Sequence, residues 1–267
     1  MVKITEQAIF AVPMRYFARF AGILFTLYAF VVFTVFLLLI LPFVIIASFF
    51  GKINGGNFIY LLCKAWSRFF VTMTGIFHRT SYGEPGMPGQ PYVYVFNHIS
   101  FLDIPVMLLS IKGCRFRVLG KAEMGRIPLF GFIYRSAAVL VERDNAANRA
   151  KSVLQLKAVL RKKISIVIFP EGTFNMTQQP LKDFYDGAFR IAIETQTPIR
   201  PVLLPDTYDR MNYRSIFSLQ PGRSRAVYLD AVPTQGLTIK DLPALKATVY
   251  KMMEDGLVKL DAGWIKG

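Results

Sequence analysis

The chain has 267 residues, of which 53% are hydrophobic and only 18% charged, which excludes a disordered or acidic solvating protein. Its 32 Lys and Arg against 17 Asp and Glu give a formal net charge of +15, a balance that suits an anionic membrane surface or a nucleic acid. Two cysteines, Cys63 and Cys114, and two histidines, His78 and His98, exclude a disulfide framework, a thiolate zinc site and a His-rich metal site.

From Phe20 to Phe50 the chain carries no charged residue. Pro42 is expected to kink or end the helix there. The piece before it, Phe20–Leu41, would reach about 33 Å as a helix, enough to cross a hydrocarbon core of about 30 Å. The run is too long for a cleavable signal peptide, and no small-residue cleavage site follows it. In Asn57–Phe77, Lys64, Arg68 and Thr72 recur at spacing four among apolar residues. That pattern predicts an amphipathic helix at a membrane interface with basic residues toward headgroups; the competing reading is a core helix of the soluble domain. A true span followed by a surface helix and a hairpin dipping into one leaflet both fit. Residues 1–80 are read as membrane-anchoring helices and 81–267 as one α/β domain.

Beyond the Gly/Pro-rich stretch Gly83–Pro91, short β-like runs alternate with helical ones. The predicted strands are Tyr92–Phe96, Phe116–Leu119, Ala138–Val141, Ile164–Phe169, Ile199–Leu204 and Ala226–Leu229. The predicted helices are Ser100–Ile111, Asn145–Lys163, Tyr185–Thr195 and Asp241–Leu257. Such alternation implies a mostly parallel sheet flanked by helices, with ligands at the C-terminal ends of its strands. Thirteen Lys or Arg and three acids fall between Ile111 and Lys163. Lys157, Arg161, Lys162 and Lys163 read as a solvated helix face. Lys121, Arg126, Arg135 and Arg143 sit in otherwise apolar segments and call for an anionic partner.

The first strand runs directly into Asn97-His98-Ile99-Ser100-Phe101-Leu102-Asp103. His98 has the side chain suited to general-base work near neutral pH. Asp103, five residues on, can fix its tautomer and stabilise the imidazolium. A capping box formed by Ser100 and Asp103 is the structural alternative, and both arrangements can hold together. His78 has no carboxylate nearby in sequence and reads as structural or surface. A second strand ends in Pro170-Glu171-Gly172-Thr173, where backbone N–H groups, a hydroxyl and a carboxylate could hold a phosphorylated ligand; a tight turn is the alternative.

Together, NHxSxxD and, some seventy residues later, FPEGT resemble the PlsC-type acyltransferases, the 1-acyl-sn-glycerol-3-phosphate acyltransferases of phospholipid synthesis. The resemblance covers roughly Tyr92–Pro205, including Gly120-Lys121-Ala122-Glu123, the Gly131 region ending in Arg143, and Thr197-Pro198-Ile199-Arg200-Pro201. It implies that His98 and Asp103 form the catalytic dyad. It also implies that Lys121, Arg143, Glu171, Gly172 and Thr173 bind the acceptor, while Pro198 and Pro201 shape the site. The family commonly reads EGTRS, whereas this chain has Phe174 and Asn175 after Thr173, so a planar phosphate ligand is missing. Tyr185-Asp186 likewise stands where a lysine often precedes the Gly-Ala pair. Either Lys121, Arg126, Arg135 or Arg143 supplies the charge, or the acceptor is not lysophosphatidic acid.

The resemblance implies direct acyl transfer to an sn-2 hydroxyl, with acyl-CoA or acyl-ACP as co-substrate and no metal or other cofactor. The expected partners are the bilayer, a lysophospholipid acceptor and the acyl carrier, with no nucleic acid. The expected location is the membrane (the cytoplasmic membrane if bacterial), with the α/β domain facing the cytoplasm. A different acceptor such as a lyso-aminolipid, or a non-catalytic protein binding anionic lipid, are the rival readings.

Overall fold

In the computed structural model, residues 6–83, 89–142 and 146–265 are described. Seven strands form one mixed sheet: β1 (Ile76–Ser81), β2 (Val93–Phe96), β3 (Phe116–Lys121), β4 (Val139–Val141), β5 (Ser165–Ile168), β6 (Ile199–Leu203) and β7 (Gly222–Tyr228). Their order is β1-β7-β6-β2-β5-β3-β4. From β6 to β4 all neighbours are parallel; β7 turns antiparallel on β6, and β1 runs parallel to β7. The helices are α1 (Glu6–Ser48), α2 (Gly56–Met73), α3 (Asp103–Ser110), α4 (Phe130–Ala137), α5 (Ala146–Arg161), α6 (Gly187–Thr195), α7 (Thr207–Arg210) and α8 (Leu242–Lys259).

The strands alternate cleanly between two cores, as the period of two requires. Val93, Val95, Ile166, Ile168, Ile199 and Leu203 face α5, α6 and α8, where Leu156, Phe189, Val249 and Met253 are fully buried. Tyr94, Phe96, Val167 and Val202 face the other way, onto Val106 and Met107 of α3 and Tyr60 of α2. Burial on both faces explains why these strands are near-continuous apolar runs. All six expected strands and all four expected helices are present, with ends moved by a few residues.

The N-terminal segment departs from expectation at Pro42. Helix α1 runs unbroken to Ser48. Proline removes one helical hydrogen bond, but Leu37, Val44 and Ala47 on either side are buried against Ile59, Trp66 and Ile133. That packing holds the axis through the break. The chain reverses in a π-helical turn, Gly51–Gly55. A side chain at Gly55 would run into the Ala47 carbonyl, so only glycine lets the two helices meet so closely. Phe33 packs edge-on to Trp66 at 4.9 Å, Phe36 stacks on Phe69 at 4.8 Å, and the Tyr28 hydroxyl donates to the Met73 carbonyl at 3.1 Å, so α1 and α2 form an antiparallel hairpin.

Helix α2 is wedged between α1 and the sheet. The Lys64 ammonium, expected to face headgroups, turns inward to the Ile111 carbonyl and lies over the Phe116 ring. Arg68 and Thr72 stay exposed. Strand β1 has no counterpart in the sequence reading, and it joins the sheet from Ile76, ahead of the expected boundary at residues 80–81. Part of the basic band is also internal. Arg117 is buried and donates to the carbonyls of Lys52 at 2.9 Å and Ile53 at 3.1 Å and to Asn57 Oδ1 at 3.0 Å. It satisfies the reversal of the hairpin, where helix-end carbonyls would otherwise lack donors. Arg135 donates to the Gly125 carbonyl, and Lys157 pairs with Glu194.

Candidate active site

The sheet order places the ends of β6, β2, β5, β3 and β4 side by side, so residues far apart in sequence share one edge. His98 follows β2, Glu171, Gly172 and Thr173 follow β5, and Lys121 closes β3. Arg143, beyond the end of β4, lies outside the described residues. Asn97 ties the edge together: its side chain accepts the Leu204 N–H at 2.7 Å and donates to the Leu204 carbonyl at 3.3 Å, clamping the end of β2 to that of β6.

His98 Nδ1 lies 2.8 Å from Asp103 Oδ2. The imidazole is 19% exposed and the carboxylate fully buried. Asp103 is over-determined: Oδ2 also accepts the N–H groups of Ile99 at 2.7 Å and Ser100 at 2.8 Å, and Oδ1 accepts the Thr207 hydroxyl at 2.6 Å. Such a carboxylate is locked in one rotamer and holds the ring nitrogen it touches as N–H. The opposite nitrogen, Nε2, then carries a lone pair, and no partner reaches it among the described residues. The capping box is only half made: Asp103 takes the Ser100 amide, but Ser100 Oγ accepts the Leu102 N–H at 3.0 Å rather than that of Asp103, and α3 has no side-chain cap at Leu102. Ser100 Oγ donates to the Met211 carbonyl, so it is engaged at both ends.

Aromatic rings wall the histidine. Phe169 lies tilted against it at 4.4 Å, Phe174 meets it edge-on at 4.5 Å, and Phe101 backs Phe174 at 5.0 Å. The residue standing in place of the family's arginine is thus part of the wall around His98. Glu171 is fully buried and holds the second turn to the first. Its Oε1 accepts the His98 N–H at 2.7 Å, and its Oε2 accepts the Lys182 N–H at 2.9 Å. Burial pushes its carboxyl up to about 8, opposed by these two N–H donors and by the Lys182 charge. Gly172 supplies the turn with a φ of +72°, a conformation that favours glycine. The Asn175 N–H closes back onto the His98 carbonyl at 2.7 Å.

The profile of the Acyltransferase family matches residues 78–204, the span that carries this edge. Over 195 residues, 72% of this chain and 67% of its relative, the chain is 30% identical to a putative 1-acyl-sn-glycerol-3-phosphate acyltransferase of Caenorhabditis elegans. The chain belongs to the PlsC-type 1-acyl-sn-glycerol-3-phosphate acyltransferase family. Human 1-acyl-sn-glycerol-3-phosphate acyltransferase alpha is 32% identical over 168 residues, 62% of this chain and 58% of the human one. The 1-acyl-sn-glycerol-3-phosphate acyltransferase of Haemophilus influenzae is 28% identical over 177 residues, 66% and 72% of the two chains. The crystal structure of the 1-acyl-sn-glycerophosphate acyltransferase PlsC from Thermotoga maritima superposes with a TM-score of 0.73 at 22% identity, covering 92% of this chain and 99% of that one, so the fold is shared over that span.

In this acyltransferase the residues singled out from sequence divide into two groups. His98, Asp103 and Glu171 are joined by direct hydrogen bonds, and Thr173 is joined to them through Lys182, whose ammonium donates to the Thr173 hydroxyl at 3.1 Å. Lys121 sits exposed on the same edge. Arg135, one of the cations considered for a missing charge, is turned to Gly125 instead. Pro198 and Pro201 belong to the β6 region, and their carbonyls accept Val93 N–H and Leu229 N–H, both at 3.0 Å. Sequence reasoning missed Lys182, Thr207 and the ring wall of Phe101, Phe169 and Phe174. Thr207 and the three rings lie at or just past the ends of predicted strands, whereas Lys182 lies far beyond one.

Proposed function

We propose that this acyltransferase moves a fatty acyl group from acyl-CoA or acyl-ACP to the sn-2 hydroxyl of 1-acyl-glycerol-3-phosphate, giving phosphatidic acid. The observation that carries the reading is the 2.8 Å contact of His98 with Asp103 at the strand-end edge, with Nε2 left open. His98 Nε2 takes the proton of the acceptor hydroxyl as its oxygen bonds to the thioester carbonyl carbon. Asp103 stabilises the imidazolium so formed. Collapse of the tetrahedral intermediate breaks the carbon–sulfur bond, and the departing thiolate takes the proton back from His98. Proton and acyl group balance with the histidine alone. Ser100 is held at both ends and is unavailable as a nucleophile.

The helices ahead of β1 serve as the membrane anchor, and the α/β unit that begins with β1 is the catalytic part, facing the cytoplasm, where both donors reside. Phe20–Ser48 is long and apolar enough to cross a membrane. Yet Ala29, Val32, Leu37, Val44 and Ala47 form a buried stripe against α2, Leu102, Leu219 and Ile133. A helix that buries one stripe on protein and leaves its other apolar faces open suits a hairpin seated in one leaflet. Exposed Phe101, Ile127, Leu129, Met176, Ile216 and Phe217 surround the strand-end edge and favour the same seating.

Phe174 favours a second reading, in which the acceptor is a lyso-aminolipid without the phosphate. Mass spectrometry of products from purified protein, offered both acceptors with acyl-CoA and with acyl-ACP, tests the assignment. Phosphatidic acid should dominate, and His98→Ala should lower its formation about 10²–10⁴-fold. Preference for the phosphate-free acceptor, or full activity in His98→Ala, would overturn it.

A further inference from the structure

The turn after β5 carries a cation that neither its sequence position nor the expected ligand set assigns to the site. Lys182 lies past Thr173 at the far end of a loop, yet its backbone and its side chain both return to the turn. Its N–H is fixed to Glu171 Oε2 at 2.9 Å, and its ammonium donates to Thr173 Oγ1 at 3.1 Å. None of the ion pairs among the described residues involves Lys182. The ammonium therefore keeps two N–H donors unengaged, and the Thr173 hydroxyl, accepting from it, keeps its own proton to give. Both groups are exposed at the edge.

We propose that Lys182 is the ligand for the acceptor's phosphate, with Thr173 beside it, and that it supplies the charge absent at Phe174. The inference rests on the reading of the acceptor as 1-acyl-glycerol-3-phosphate. Its geometric basis is the Glu171 carboxyl, which holds the backbone of His98 on one oxygen and that of Lys182 on the other. An acceptor with its hydroxyl at His98 Nε2 has its phosphate on the neighbouring carbon, so a cation fixed relative to His98 selects both position and charge. Arg135 is committed to Gly125, and Lys121 stands on β3, one strand further from His98 than the turn that carries Thr173. A lysine binds phosphate as a point charge rather than a planar fork, which leaves position 174 to the aromatic wall.

The test is the kinetics of Lys182→Met and Lys182→Arg with 1-acyl-glycerol-3-phosphate and with phosphate-free 1-acylglycerol as acceptors. Loss of a charge-assisted contact should raise KM for the phosphorylated acceptor about tenfold or more in Lys182→Met, leaving kcat and the phosphate-free acceptor little changed. Lys182→Arg should restore most of the affinity. An equal change for both acceptors, or none for either, overturns the role of the lysine while leaving the acceptor assignment intact. A wild-type enzyme that does not acylate 1-acyl-glycerol-3-phosphate overturns both.

Discussion

His98 and Lys182 are held by the two oxygens of a single carboxyl group, that of Glu171, at 2.7 and 2.9 Å from their main-chain nitrogens. The side chain that does this is fully buried, so the link does not exchange with water. A histidine after one strand and a lysine on a distant loop are thereby placed in a set relation without touching each other.

Removing that link should be graded. Glu171→Gln keeps one accepting oxygen and sets an NH₂ group against the other N–H. Glu171→Leu removes both acceptors and leaves two main-chain donors without partners, a loss of about 2 kcal/mol or more. Urea unfolding should therefore rank glutamate above glutamine above leucine, and kcat should fall in the same order. Leucine at wild-type stability would show that these bonds do not hold the edge together.

His78 should give the fold an acid-sensitive component. It bonds to Ser224, Thr80 and Ser110, and burial, with Lys112 adding to it, holds it down to about 4 against an ordinary 6.5, while Asp206 pulls the other way. As pH falls, the unfolded chain takes up the proton first. The stability from the neutral ring is thus complete above about pH 6.5 and is lost toward pH 4. His78→Gln removes this component, so the stability gap between wild type and variant should narrow from pH 7 to pH 5. A gap that stays constant would assign the acid response to other groups.

Arg117 should be the residue on which the hairpin's attachment depends most. Arg117→Met leaves the carbonyls of Lys52 and Ile53 and the Asn57 side chain without their donor. The expected cost is about 2–4 kcal/mol, with faster amide exchange at Gly51–Gly55. The three acceptors converge on one guanidinium nitrogen, Nη2, while Nη1 donates to the Phe116 carbonyl, so Arg117→Lys should recover part of the loss but not the Phe116 contact. Unchanged exchange at the reversal would contradict the clamp.

What sequence made legible was whatever is encoded within a few residues. His98 and Asp103 are five apart on a strand-to-helix junction, and the Glu171 turn follows directly on a strand. Parallel pairing of β2 with β5 then brings the two junctions together, as alternation of strands and helices implies. Lys182 was not legible, since its place depends on a loop that folds back to Glu171. Strand β1 was hidden for a related reason. His78, Arg79, Thr80 and Ser81 are polar, and the segment becomes a strand only by pairing with β7, whose residues come far later in the chain. The continuity of α1 through Pro42 was hidden too, because packing on α2 outweighs a local preference to break. The basic band misled in part: Arg117 and Arg135 serve backbone carbonyls rather than a ligand.

Arg117, the second residue of strand β3, grips the hairpin, and Lys121 ends the strand at the site edge. The four residue steps from Arg117 to Lys121 make a rigid strut of about 13 Å. The hairpin and the chemistry are therefore two ends of one ruler, and tilting or raising the hairpin carries the edge with it by the same amount. For the proposed seating in one leaflet, depth is set by the fold rather than by a flexible tether.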